Sequence, residues 1–236
     1  MESAAAIYLF PVPMGDVAPS EVLPQSNLRL IGSIRHFVVE NIRSARRFLK
    51  AVDSTININE LHFTELSEHT PAGEVEKMLS PIAQGFSIGV ISEAGCPAVA
   101  DPGADLVALA QRRGIRVVPL VGPSSIIMSL MASGFNGQSF VFRGYLPAES
   151  SARVNTLRRI EREIRQDRRT QIFIETPYRN NRLIDDILRT LPPNFLLCVA
   201  ADITGPNERI VTLTIEQWRK RNYDYAKIPA IFLLYS

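Results

Sequence analysis

The chain has 236 residues, which suits one large domain or two modest ones with a substantial hydrophobic core. Hydrophobic residues make up 46% and charged residues 21%, a composition typical of soluble globular proteins, and no apolar run approaches the roughly 20 residues needed to span a bilayer. The net charge of +2 excludes a polycation.

The N-terminal segment and the cysteine usage indicate the cellular compartment. Residues 1–6 contain no basic stretch ahead of their short apolar run, so a signal peptide is not expected. Cys96 and Cys198 are too few for a disulfide framework, and with three scattered histidines no metal site is expected. We therefore expect a cytoplasmic protein with no membrane partner.

Strand-like and helix-like segments alternate through the first half of the chain. The predicted strands are apolar runs at 6–10, 37–39, 56–63, 86–91 and 115–120. The predicted helices have helical periodicity or Pro and Gly at their ends, and they span 28–34, 43–52, 71–84, 102–114 and 124–133. This alternation predicts a doubly wound, largely parallel sheet.

A glycine-containing break at 134–139 predicts a boundary between an N-terminal α/β domain, 1–136, and a C-terminal α/β domain, 137–236. The strands predicted after the break are 140–142, 170–175, 195–201, 208–213 and 228–235. The helices predicted there are 151–166, 180–190 and a short one around Trp218. Because the last strands lack full helices between them, we expect the second sheet to be mixed. The predicted fold class is α/β.

Two loops rich in Gly and Pro follow predicted strands at 92–103 and 119–125. Loops at the carboxyl ends of parallel strands build ligand crevices, although ordinary turns remain the alternative. The loops match neither a dinucleotide fingerprint nor a phosphate-binding P-loop. Cys96 has no His nearby in sequence, which favours a small buried residue over a nucleophile. Such loops with little acid–base machinery suit transfer from an already activated donor.

Basic residues are concentrated in two segments. Four lie within 43–50, and seven arginines lie within 153–169. Such groups bind nucleic-acid backbone or simply form solvated helix faces, and the acidic residues interleaved with the second group are consistent with the latter.

Several short stretches, taken together in order and spacing, carry a family resemblance. They are PVPMGD (11–16), VENIR (39–43), SEAGCPAVADPG (92–103), PLVGPSS (119–125), GYLP (144–147) and IFIETPYR (172–179). The chain resembles the tetrapyrrole methylase superfamily, the class III S-adenosylmethionine-dependent methyltransferases. Within that superfamily it is most similar to the branch that methylates a ribose 2′-hydroxyl of 16S ribosomal RNA.

The resemblance implies two α/β domains with the methyl donor, S-adenosylmethionine, in the cleft between them. It also implies a homodimer and RNA of the small ribosomal subunit as partner. Matched motif by motif, the implied cofactor-binding residues are Pro13, Met14, Gly15, Gly95, Cys96, Pro97, Val99, Ser124, Ser125, Glu175, Ala201 and Ala230.

Glu40 and Arg43 are the candidate catalytic residues on the acceptor side. A ribose hydroxyl is a very weak acid, so a neighbouring carboxylate is suited to orient or deprotonate it. The alternative is a helix-start Glu with an exposed Arg. Asp101 likewise suits either a ligand contact or a helix cap.

The chain departs from the branch at three positions. Asn41 stands where the branch has Asp, residues 201–205 replace an Arg-Glu-Leu-Thr-Lys stretch, and Pro229-Ala230 replaces Gly-Glu. Two alternatives to the rRNA hypothesis therefore stay open. One is methylation of a tetrapyrrole or another small metabolite, and the other is a catalytically inactive homologue that binds the donor or RNA.

Overall fold

A computed structural model describes residues 5–236 and contains two five-stranded sheets. Each sheet lies in its own compact unit, and the units divide between Ser124 and Ser125. The predicted α/β class, with a parallel first sheet and a mixed second sheet, is confirmed. None of the helices within residues 5–236 combines the length and the hydrophobicity of a bilayer-spanning segment.

The first unit is built on an all-parallel sheet with the order β3-β2-β4-β1-β5. Its strands are β1 (Ile7–Phe10), β2 (His36–Val39), β3 (His62–Glu65), β4 (Ile88–Ile91) and β5 (Val117–Pro119). Gly89 lies at the centre of the sheet, where an added Cβ would come within 2.7 Å of the Phe37 ring. A larger residue there would therefore displace the rings of Phe37 and Phe10 on the two neighbouring strands.

Helices cover both faces of this sheet. They are α1 (Pro19–Val22), α2 (Gln25–Ile31), α3 (Ile42–Val52), α4 (Ala72–Lys77), α5 (Ser80–Ala83) and α6 (Gly103–Arg112). Phe37 and Val38 are adjacent on β2 but belong to different apolar clusters, because successive strand side chains point to opposite faces. Leu49 of α3 packs into one cluster and Leu106 of α6 into the other.

The second unit has a mixed sheet with the order β6-β7-β10-β8-β9. Its strands are β6 (Phe140–Tyr145), β7 (Thr170–Ile174), β8 (Leu196–Ala201), β9 (Arg209–Thr214) and β10 (Ala230–Tyr235). Only β6 and β7 pair in parallel, and the other neighbours are antiparallel. The helices are α7 (Ser125–Ser133), α8 (Ser150–Asp167), α9 (Asn180–Thr190) and α10 (Ile215–Arg219).

A buried ionic cluster joins α8 to α9. Arg153 and Asp186 are 1% and 2% exposed, and Nε of Arg153 donates to Oδ2 of Asp186 at 2.8 Å. Nη1 of Arg153 donates to the carbonyl oxygens of Pro147 and Ala148, and its Nη2 also donates to Oδ2 of Asp186. Arg189 donates to Oδ1 of Asp186 at 2.6 Å. Every strong polar group of the cluster is thus paired, as a buried charge requires.

Two predicted elements of the first unit are wrong in detail. The predicted strand 56–63 is a 3-10 turn, Ile58–Glu60, followed by β3, because the Asn57 side chain accepts from the Asn59 N–H and starts the turn. The predicted helix 71–84 is two short helices, and Pro81 lacks the N–H that a continuous helix would use. Helix α1 was not predicted from the sequence.

The division between the units lies twelve residues before the predicted boundary after Asn136 (136 − 124). The predicted boundary assigns α7 to the first domain, whereas in the structure α7 packs against β8, β9 and β10. The Thr212 hydroxyl of β9 also donates to the Ser133 carbonyl at the end of α7, at 3.0 Å. These contacts place α7 in the second unit.

Candidate functional site

Four loops meet at the carboxyl edge of the first sheet. They follow β1, β2, β4 and β5, which are parallel and adjacent, so their ends lie side by side. This edge carries the predicted residues of the first unit, namely Pro13, Met14, Gly15, Glu40, Arg43, Gly95, Cys96, Pro97, Val99 and Ser124. The structure therefore brings together residues that the sequence separates by as much as 111 positions (124 − 13).

Direct contacts connect these loops. Val12 and Gly95 form an antiparallel bridge, with N–H to carbonyl distances of 2.9 and 3.2 Å. The Cys96 thiol donates to the carbonyl of Pro123 at 3.3 Å. The loop after β4 is thus bound to the loop after β1 and to the loop after β5.

The loop after β4 holds three residues with positive φ. Gly95 has φ 68°, and the non-glycine residues Ala98 and Ala100 have φ 64° and 55°. Left-handed backbone is unfavourable for Ala and persists where the surroundings impose it. Oδ1 of Asp101 helps to hold this loop by accepting from the N–H groups of Ala98 at 3.0 Å and Gly103 at 2.6 Å.

Glu40 directly follows β2 and lies against the loop after β4. Its Oε2 accepts a hydrogen bond from the Glu93 N–H at 2.7 Å. Burial raises the pKa of Glu40, and the neighbouring carboxyl groups of Asp101 and Glu93 raise it further, while the Glu93 N–H opposes the shift. A carboxylate with a raised pKa is a stronger base than an exposed one.

Asp101 combines the two roles that the sequence left open. Its Oδ1 holds the loop and the first N–H of α6, as a cap does. Its Oδ2 is buried and accepts no hydrogen bond from the residues that the structure describes. The second oxygen is therefore available to a ligand or to a proton shared with Glu40.

Asn41 and Arg43 begin helix α3. Oδ1 of Asn41 accepts from the N–H groups of Arg43 and Ser44 at 2.9 and 3.2 Å, which is the hydrogen bonding of an N-cap. An aspartate side chain at this position could accept the same two bonds, so the cap does not depend on which of the two residues is present. Arg43 is exposed in the first turn of the helix.

Cys96 is unsuited to act as a nucleophile. Burial raises the pKa of its thiol, which favours the unreactive protonated form. The thiol also donates to Pro123, so its role in the structure is to connect two loops. Among residues 5–236, no three carboxylate, imidazole or thiol groups are arranged as ligands of a metal ion.

In the second unit, Glu175, Ala201 and Ala230 lie close together at the ends of three adjacent strands of the mixed sheet, β7, β8 and β10. Ala201 ends β8 and pairs in register with Ala230, which starts β10. Glu175 follows the last residue of β7, which pairs with Ile231 of β10. The three residues are therefore contributed by neighbouring strands. Ser125, the other predicted residue of this unit, is the first residue of α7.

Glu175 has one satisfied oxygen and one unsatisfied oxygen. Its side chain is fully buried, and Oε1 accepts from the Thr176 N–H at 2.6 Å and from the Arg179 guanidinium at 2.6 and 2.9 Å. Oε2 is buried without a hydrogen-bond partner in the described part of the chain. Such an oxygen is expected to accept a bond from a ligand, because leaving it unpaired is costly.

Sequence reasoning found Glu40 but missed its interaction with Glu93 and Asp101. These two residues lie 53 and 61 positions beyond Glu40 (93 − 40 and 101 − 40). The available signal was that Glu93 follows β4 almost directly, and β4 neighbours β2 in a doubly wound sheet.

Three of the five arginines of α8 form ion pairs. Arg159 lies 3.7 Å from Glu163, Arg165 lies 3.1 Å from Glu161, and Arg153 is the buried arginine described above. These pairs favour the solvated helix face over a continuous nucleic-acid surface on α8.

Known methyltransferases resemble this chain in sequence and in structure. No protein-family model matches the chain. A protein of Vibrio cholerae named ribosomal RNA small subunit methyltransferase I is 33% identical over 207 residues, which cover 88% of this chain and 68% of that protein. The protein of the same name from Escherichia coli O157:H7 is 31% identical over 208 residues, with the same two coverages.

Solved structures share the fold. The methyltransferase CobJ superposes with a TM-score of 0.64 at 15% identity, over 98% of this chain and 94% of that one. A uroporphyrin III C-methyltransferase from Thermus thermophilus superposes with a TM-score of 0.60 at 18% identity, over 98% of both chains. At these identities the superpositions establish the architecture alone.

Proposed function

The chain belongs to the ribosomal RNA small subunit methyltransferase I family, and on that premise we propose that it methylates a ribose 2′-hydroxyl of ribosomal RNA, with S-adenosylmethionine as donor. The resemblance recognised from the loop motifs is confirmed by the V. cholerae and E. coli relatives. The single observation that carries the proposal is Glu40, whose pKa is raised at the edge where four loops meet.

Glu40 is proposed to orient the acceptor hydroxyl and take its proton. The Glu93 N–H fixes one carboxylate oxygen at 2.7 Å, which leaves the other oxygen to face an acceptor. Burial and the nearby carboxylates of Asp101 and Glu93 make proton uptake by Glu40 more favourable than for a solvated carboxylate. Arg43, exposed in the first turn of α3, is proposed to pair with the RNA backbone.

We propose that the loop residues of the two units provide the contacts that S-adenosylmethionine needs. S-adenosylmethionine, when bound, supplies a methyl group already activated by the positive charge on its sulfur. In the first unit, we propose that the backbone of Gly95, Cys96, Pro97 and Val99, with Pro13, Met14, Gly15 and Ser124, contacts it. In the second unit, the unpartnered Oε2 of Glu175 suits one of its hydroxyl or amino groups, and Ser125, Ala201 and Ala230 are the further candidates.

The two alternatives to RNA methylation have weaker support. A tetrapyrrole or metabolite acceptor is supported by the shared fold alone. Loss of catalysis was suggested by Asn41, yet Asn41 performs a capping role and the adjacent Glu40 is present. Both observations favour an active enzyme over a homologue that has lost catalysis.

We also propose that the protein acts in the cytoplasm as a homodimer on RNA of the small ribosomal subunit. The family resemblance supports the dimer, and the two free cysteines, Cys96 and Cys198, are consistent with a reducing compartment. Light scattering of the purified protein tests the dimer, since a monomer mass at assay concentration would contradict it.

The test of the proposed function is transfer of labelled methyl from S-adenosylmethionine to small ribosomal subunits that lack their methylations. Calorimetry on the same sample measures donor binding. We expect label at a ribose 2′-oxygen. Donor binding without label in any RNA would contradict the acceptor, and no donor binding at all would contradict the cofactor.

A further inference from the structure

A cavity of about 290 Å³ opens beside Glu93 in the first unit. It lies between the loop after β1, helix α3 and the end of β4. Its volume is close to the lower limit of small-molecule sites, roughly 300–1,000 Å³, and so suits a single ring system rather than a whole cofactor.

Three polar side chains form a chain of hydrogen bonds in this cavity. Nη2 of Arg47 lies 3.4 Å from the Ser44 hydroxyl, which donates to Oε2 of Glu93 at 3.2 Å. Within residues 5–236 neither Arg47 nor Glu93 forms an ion pair. A guanidinium with free donors therefore faces the same space as a carboxylate with free acceptor capacity.

Most of the other lining residues are apolar, and three of them carry rings. Phe48 offers an aromatic ring, and Pro13 and Pro19 offer rigid ring faces from the loop after β1. A flat heterocycle with hydrogen-bonding groups on its edge matches such a site, because enzymes that act on an extruded nucleotide stack its base and pair its edge.

The cavity is directly connected to the proposed base. Glu93 contributes its carboxylate to the cavity and its N–H to Oε2 of Glu40. A group bound by the Glu93 side chain therefore lies close to the Glu40 carboxylate, because the backbone of the same residue contacts that carboxylate. A nucleoside spans that separation, with its base in the cavity and its ribose beside Glu40.

We propose that this cavity receives the base of the acceptor nucleotide, turned out of its strand, with Arg47 and Glu93 reading the base edge. The inference rests on the proposed function and deepens it, since it assigns specificity-determining residues to the acceptor side. Ser44 holds the two charged groups in position, and Phe48 with the two prolines provides the stacking surface.

The experiment combines two variants with a matched control. Ala51→Trp places a bulky ring at the exposed mouth of the cavity, and Arg47→Gln removes the edge-reading guanidinium. Arg46→Gln removes the same charge one residue away, from a side chain that lies over Phe63 and does not line the cavity. Calorimetry with S-adenosylmethionine verifies that each variant is folded and binds donor.

Two readouts are measured on each protein. Saturation-transfer NMR with each of the four ribonucleosides reports base binding without requiring activity. Methyl transfer to unmethylated small subunits reports function. We expect saturation of base protons of at least one nucleoside by the wild type and its loss in Ala51→Trp. We expect methyl transfer to fall about tenfold or more in Ala51→Trp and Arg47→Gln, as for loss of one base-edge contact, and to stay within about twofold in Arg46→Gln.

The outcomes separate this inference from the proposed function. If the wild type methylates RNA and Ala51→Trp does so equally well, the cavity assignment is wrong and the proposed function stands. If the wild type transfers saturation to none of the four nucleosides, the cavity assignment is also wrong. If the wild type methylates no RNA, the proposed function is wrong, and the acceptor role of the cavity is wrong with it.

Discussion

Two carboxylates, Glu40 in the first unit and Asp186 in the second, are held in opposite ways. Burial raises the pKa of Glu40, and two further carboxyl groups add to the effect. Burial also acts to raise the pKa of Asp186, but hydrogen bonds from Arg153 and Arg189 outweigh it and lower the pKa. The two pKa values shift in opposite directions because the neighbouring groups differ. Asp186 accepts hydrogen bonds from arginine side chains, whereas Glu40 lies beside other carboxyl groups and accepts one backbone N–H.

This contrast separates a reactive group from a structural one. A carboxylate whose charge is fully compensated has little tendency to take a proton and contributes to packing. A carboxylate kept among other acids is poised to take one, and enzymes place such groups where chemistry occurs. Removing Glu40 should therefore affect activity and leave the fold intact, and breaking the Asp186 cluster should do the reverse.

The largest expected effect is on activity. We predict that Glu40→Gln lowers methyl transfer by about 10²–10⁴-fold, the contribution of general acid–base catalysis. The amide oxygen of Gln can still accept from the Glu93 N–H, so donor binding should be unchanged. Single-turnover transfer to small subunits measures the rate. The control is Glu65→Gln, at the end of β3, where the side chain only accepts from the Ile42 N–H; equal losses in both variants would contradict a catalytic role for Glu40.

The next effect is on stability. Arg153→Met leaves the Asp186 carboxylate buried without its main partner, and we predict a loss of about 3–5 kcal/mol in the free energy of unfolding. Trp218, the only tryptophan, is buried in the same unit and reports unfolding in urea by its fluorescence. Arg158→Met, at an exposed position of the same helix, should change stability by less than about 0.5 kcal/mol. A similar small change in Arg153→Met would show that the cluster contributes little.

The pH dependence of stability should have opposite sign for the two groups. The raised pKa of Glu40 means that its contribution is fully present below the ordinary Glu value, about 4.3, and is lost as the pH rises through the raised pKa. The lowered pKa of Asp186 means that its contribution is present above the ordinary Asp value, about 3.9, and is lost as the pH falls through the lowered pKa.

Comparison with neutral variants isolates these two contributions. The stability of the wild type relative to Glu40→Gln should decline from about pH 4 toward neutral, as measured by hydrogen exchange of amides in β2 and β4. The stability relative to Asp186→Asn should decline below about pH 4, as measured by Trp218 fluorescence in urea. The same sign for both would refute the contrast between the two carboxylates.

The smallest expected effect concerns the residue next to Glu40. Asn41→Ala removes the cap of α3 and should cost about 1 kcal/mol of local stability, seen as faster hydrogen exchange in the first turns of the helix. Asn41→Asp restores the residue of the branch and should stay within a few tenths of a kcal/mol, with methyl transfer unchanged. A large gain of activity in Asn41→Asp would instead show that the second carboxylate takes part in the chemistry.

Local patterns predicted most elements, and long-range contacts explain what they missed. The periodicity of α3 and α8 and the apolar runs of β1 and β4 are visible in the sequence because each element buries one face or both. The prediction of a strand over 56–63 was wrong at its start, because β-branched residues are typical of strands, whereas here the Asn57 side chain starts a turn.

The candidate site was predictable in its loops and not in its electrostatics. Glu40 was identified from its motif, but its raised pKa depends on burial and then on the carboxyl groups of Asp101 and Glu93, which reach it only when β2 and β4 pair. The cavity beside Glu93 likewise requires α3 to pack against the loop after β1. Tertiary packing brings together side chains that no sequence spacing relates.

The most direct test of the account is the pH dependence of single-turnover methyl transfer by the wild type and by Glu40→Gln. If Glu40 takes the proton, the wild-type rate falls on the acid side with a midpoint above the ordinary Glu pKa of about 4.3, and the residual rate of Glu40→Gln lacks that acid limb. The same acid limb in both proteins would contradict the central claim that Glu40 is the base.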